Sequence, residues 1–123
     1  MPKKHDVVRL RHILNAALKA TQYSKGKTKE EVISDEVLFL ALIRLVEIIG
    51  EAASKLSPEF KERNSQIAWR DIVNTRHRLI HGYEDIDSDV VWQIISNDLP
   101  PLIKQLEMIL IEEERTMQEN LFE

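Results

Sequence analysis

DEVLFLALIRLVEIIGEAASKL, Asp35 to Leu56, is the stretch on which the fold turns. Leu38, Ala41, Leu42, Leu45, Ile48, Ile49, Ala52 and Leu56 recur at intervals of three and four, so they share one stripe of an α-helix; a strand would require alternation. The spacing predicts a helix over about 35–56, with Ser34 or Asp35 as its cap. A stripe of that length must be covered by other elements, and the flanking sequence offers only further helices.

Upstream, Val7, Leu10, Ile13, Leu14, Ala17, Leu18 and Thr21 predict a helix over about 7–23. Gly26 breaks it, and Thr28 with Glu31 has capping-box spacing, so the central helix starts either near Thr28 or near Ser34. Downstream, Ser57-Pro58 ends the central helix and starts a short helical turn, since proline suits the first helical position. Ile72, Val73, Leu79 and Ile80 place a helix over about 69–82 that closes at Gly82. Val90, Val91, Ile94 and Ile95 place another over about 88–99. Pro100 and Pro101 are expected to break or kink it before a last helix over about 101–115, carrying Leu102, Ile103, Leu106, Ile109 and Leu110. The run after Glu112 reads as frayed. The expectation is an all-α, up-and-down bundle of four to five helices forming one domain over residues 1–123.

Composition agrees. The chain is 43% hydrophobic and 31% charged with three glycines, which is poor in turn-formers and rich in helix-formers. It has no cysteine, which rules out disulfides and thiolate zinc sites. MPKKHDVV has no apolar run suited to a signal peptide, and no segment approaches the roughly 20 apolar residues of a membrane span. A soluble, cytoplasmic protein is therefore expected. The net charge of −4 is uneven: residues 1–28 carry +6, 29–60 carry −4, 61–83 carry +3 and 84–123 carry −9. A locally basic segment can hold a polyanion, although the same charges also suit solvated helix faces.

That basic segment contains RHRLIHGY, Arg76 to Tyr83, which sets a guanidinium, two imidazoles and a phenol on little more than two helical turns. Arginine holds phosphate, histidine transfers protons near neutral pH, and a phenol can be modified. Other readings stand beside this one. Arg76 interrupts the apolar stripe of its helix and could form a buried ion pair with Glu47 or Glu51. His77 and His81 have the spacing of a metal pair, but no glutamate follows the first histidine as zinc hydrolysis would require, so no metal is expected. On one straight helix Arg76 and His81 would point about 140° apart. Either the chain turns at Gly82 or a second copy completes the site. A twofold dimer would supply two histidines and two arginines, which metal-free RNA cleavage could use as base, acid and phosphate-binding cations.

Arg76, His81 and Tyr83 form an R-x4-H-x-Y pattern that resembles the HEPN domains, specifically the HepT-like toxins of prokaryotic toxin–antitoxin pairs. EIIGEAASKL, IAWRDIVNTRHRLIHGY, the acidic DID after it and VVWQIISNDLPPLI extend the resemblance over roughly residues 35–110. It implies a HEPN-like fold, a homodimer with the two motifs facing each other, and metal-independent endoribonuclease activity without a cofactor. Arg76 and His81 would be catalytic, with His77 and Glu51 in support. Tyr83 would accept AMP from an MNT-type nucleotidyltransferase antitoxin, which silences the toxin. The position after the arginine is commonly asparagine in this subgroup and is His77 here. Two rival readings are a non-catalytic helical interaction module and a nucleotide-binding accessory domain; GKTKEE lacks the spacing of a phosphate loop. Trp69 and Trp92 read as core residues, and no aromatic platform for single-stranded RNA is evident.

Overall fold

A computed structural model describes residues 4–79 and 85–121 of the chain. They form α1 (Lys4–Ser24), α2 (Lys29–Ser34), α3 (Glu36–Ser54), α4 (Pro58–Arg63), α5 (Trp69–Val73), α6 (Thr75–Leu79), α7 (Ser88–Gln93), a π-helical turn (Ile94–Asp98) and α8 (Leu99–Leu121). The architecture is an all-α bundle. α3 lies against α1 on one side and against α5 and α6 on another, while α8 also packs on α1. Leu10, Ile13, Leu42, Val46, Phe60, Leu79, Val91, Leu99 and Leu106 are fully buried where these faces meet. Each such large aliphatic or aromatic side chain contributes about 1.5–3 kcal/mol of burial free energy.

Both candidate starts of the central helix are used. Thr28 caps α2 through a complete capping box, its hydroxyl accepting from the Glu31 amide at 3.2 Å while the Thr28 amide donates to the Glu31 carboxylate at 3.0 Å. Asp35 then leaves the helical region (ψ 98°) and caps α3 by accepting from the Leu38 amide at 3.1 Å. Ser57 caps α4, with Pro58 in the first turn.

Three boundaries differ from the sequence expectation. The helix read as 69–82 is interrupted at Asn74. There the Thr75 hydroxyl bonds back to the carbonyls of Ile72 and Asp71 and competes with the helical ladder. Its expected end at Gly82 lies outside the described residues. The prolines, in turn, do not separate two helices. Neither Pro100 nor Pro101 has an N–H, so the carbonyls four residues back, on Ser96 and Asn97, lose their α-helical donors and would meet the rings. The chain widens one turn earlier, the Leu99 amide reaching back five residues to the Ile94 carbonyl, and α8 runs on uninterrupted. Finally, α8 continues to Leu121 instead of fraying. Arg115 is paired with Glu112 and Glu119, and the buried Glu113 lies 3.5 Å from Arg63, whose guanidinium covers the Phe60 ring.

Candidate active site

The octad enters on α6, whose placement depends on three small features. Gly50, in the middle of α3, is buried, and a Cβ there would come 3.2 Å from the Ile72 carbonyl oxygen and 3.7 Å from that of Val73. The absence of a side chain is what lets α5 lie this close to α3. Thr75, buried at the start of α6, ties the break between α5 and α6 through its two back-bonds. Leu79, 1% exposed, anchors the far end of α6 in the core.

The return of the chain is also tied. The Asp87 amide donates to the Leu79 carbonyl at 2.7 Å, and the Asp87 carboxylate caps α7 by accepting from the amides of Asp89 and Val90 at 3.0 and 3.2 Å. Leu79 and Asp87 are thus fixed to each other, so the segment carrying the second half of the octad starts and ends at tied positions. His81, Gly82 and Tyr83 themselves lie outside the described residues, as does the side chain of Arg76.

His77 is exposed, its amide bonded to the Asn74 carbonyl at 3.0 Å. Arg78, two residues beyond Arg76, pairs with Asp98 of the π-helical turn at 3.5 Å. Glu51 is exposed and pairs with Arg44 on its own helix at 3.6 Å. Glu47, Glu51 and Val73 border one hollow of about 140 Å³ between α3 and α5. Among the described residues no three histidine, aspartate or glutamate side chains gather as a metal site would require. No described helix is long and apolar enough to cross a membrane. Trp69 is buried, its ring nitrogen donating to the Asn64 carbonyl at 3.0 Å and its ring tilted against Phe60 at 6.0 Å, while Trp92 packs half-buried on the core.

Sequence reasoning passed over Gly50, Thr75, Asp87 and the Arg78–Asp98 pair. A glycine inside an otherwise apolar helical stripe was the readable signal for the first. The others follow from the break at Asn74 and from the π-helical turn, which periodicity does not reveal.

The model of the family described as ribonuclease HepT-like matches residues 13–109. A protein of Caldanaerobacter subterraneus subsp. tengcongensis named as a putative RNase is 38% identical over 104 residues, spanning 85% of this chain and 93% of its own length. A protein of Methanocaldococcus jannaschii, also named as a putative RNase, is 32% identical over 109 residues, 89% of this chain and 100% of its own. One named probable ribonuclease HepT, from Thermococcus cleftensis, is 35% identical over 80 residues, 65% of this chain and 73% of its own. No solved structure matches the chain at a significant level.

Proposed function

Since this chain belongs to the HepT-like ribonuclease family, we propose that it is a metal-independent endoribonuclease toxin whose octad cuts RNA across a homodimer cleft. The observation that carries this reading is the position of R-x4-H-x-Y inside the matched segment, its arginine on α6, the helix that Thr75 and Leu79 hold against the core.

The chemistry follows from the residue types. His81 of one protomer takes the proton of a ribose 2′-hydroxyl; the oxygen attacks the adjacent phosphorus, and the 5′-oxygen leaves with a proton from the symmetry-related histidine. The products are a 2′,3′-cyclic phosphate and a 5′-hydroxyl. Arg76 holds the scissile phosphate and offsets the charge that builds on it, a task that suits the fixed planar fork of a guanidinium. Glu51 steadies the arginine side of the cleft, and His77 adds a second imidazole at its exposed edge.

Neutralisation acts on the same motif. The Tyr83 phenol attacks the α-phosphorus of ATP on a cognate MNT-type nucleotidyltransferase, pyrophosphate leaves, and the AMP added brings bulk and negative charge to the cleft. RNA is excluded by both.

The test is expression without any antitoxin. Growth arrest with fragmented RNA is expected, and Arg76→Ala and His81→Ala should abolish both while melting within a few degrees of the unsubstituted protein. Intact RNA at good soluble expression would refute the proposal. Sharp loss of stability in both variants would identify the motif as a structural network instead.

A further inference from the structure

Between α5, α6, the π-helical turn and α8 runs an open groove of about 620 Å³. Its floor is apolar, made by Ile67, Ile72 and Leu102. Around the rim stand Asp71, Asn97 and Gln105, whose side chains have no hydrogen-bond or ionic partner among the described residues. Arg78 and Asp98, paired at 3.5 Å and each less than half exposed, close the end of the groove that belongs to the octad's helix. We infer that this groove is a nucleobase subsite of the proposed ribonuclease, and that it takes a base presenting an exocyclic amine.

An apolar floor with a polar rim is the form that a flat heteroaromatic ring requires: its faces lose water against the floor while its edge is read by hydrogen bonds. The groove's volume is that of a site for one small molecule, roughly 300–1,000 Å³. A docking helix would need exposed apolar anchors along its partner. The exposed large hydrophobic residues, such as Val37, Leu40, Met108 and Ile111, all lie outside this lining.

The rim also sets the kind of base. Asp71 offers only acceptors when ionised, and Asp98 already receives Arg78. An exocyclic amine donates to the Asp71 carboxylate, while Asn97 and Gln105, which carry donors as well as acceptors, complete the ring edge. Uracil brings carbonyl oxygens to the same place and meets a carboxylate. The groove's size suits a single base.

Its position serves the cut. Arg78 follows Arg76 by two residues, about 3 Å along the axis of α6 and roughly 200° around it. The π-helical turn makes the rim possible, because Pro100 and Pro101 force the widening that presents Asn97 and Asp98.

The inference rests on the ribonuclease reading, and cytidine and uridine 5′-monophosphates test it separately from cleavage, since neither contains a bond to cut. NMR titration of the full chain should show the cytidine nucleotide binding about tenfold more tightly. Asp71→Asn should remove the difference, and Gln105→Ala should weaken the cytidine nucleotide. Equal affinities, or a preference that survives both substitutions, would overturn the inference and leave the ribonuclease reading standing. Variants that keep the preference but escape neutralisation by a co-expressed antitoxin would overturn it too, making the groove a protein dock. A preference abolished by Asp71→Asn in a protein that leaves RNA intact would uphold the base site and refute the nuclease.

Discussion

At the scale of the residue, two positions outside the octad hold the elements around it together. Asp6 is 1% exposed, and its two oxygens accept from the Ser57 amide at 2.8 Å and the Ser57 hydroxyl at 2.6 Å, tying the start of α1 to the α3–α4 connection. Asp6→Ala strands a buried N–H and should lower stability by roughly 2–3 kcal/mol, read as a shift of the urea midpoint. Asp6 was legible only as the one acid of a basic segment; its partner lies 51 positions away, which no local pattern reports. Gly50→Val would force two methyls against the Ile72 carbonyl. A cost of about 1–3 kcal/mol from overpacking is expected, with a larger fractional loss of RNA cleavage because α5 and α6 must shift. Cleavage unaffected at native stability would show that the close approach is not needed.

At the scale of the element, α2 and the π-helical turn show what periodicity can and cannot predict. The capping box of α2 was visible as Thr28 and Glu31 three apart, and Thr28→Ala should cost about 1 kcal/mol. The Thr28 amide, and then its hydroxyl, hold the Glu31 carboxyl below the usual carboxylate range. A carboxyl with a folded pKa below its unfolded one stabilises fully above the unfolded value. That contribution fades as pH falls through the lower folded value. The melting temperature of the unsubstituted protein should therefore fall more than that of Glu31→Gln between about pH 6 and about pH 3. The prolines were equally visible, yet their effect was misplaced. Each ring removes a donor for a carbonyl four residues upstream, so the distortion lands before the prolines and not at them.

At the scale of the whole molecule, the proposed nuclease predicts how the reaction responds to its surroundings. Cleavage should persist in a chelator, fail on RNA carrying a 2′-deoxy sugar at the cut, and fall per chain on dilution below the dimer's dissociation constant. Sensitivity to chelator that added divalent ion restores would remove histidine-only chemistry. Family, helical class and octad were all readable along the chain, because apolar spacing and a short motif are local properties. Helix lengths were less so: α8 reaches Leu121 because Arg63 and a buried Glu113 meet across the bundle.

The sequence by itself determined that the chain is all-helical and singled out Arg76, His81 and Tyr83 as the residues proposed for its chemistry, since periodicity and motif spacing are written in neighbouring positions. Only the tertiary structure decided how α6 is seated and which groove adjoins it. Those depend on Gly50 meeting Ile72, on Leu79 meeting Asp87, and on Arg78 meeting Asp98. Each is a contact between segments that the chain holds apart and the core brings together.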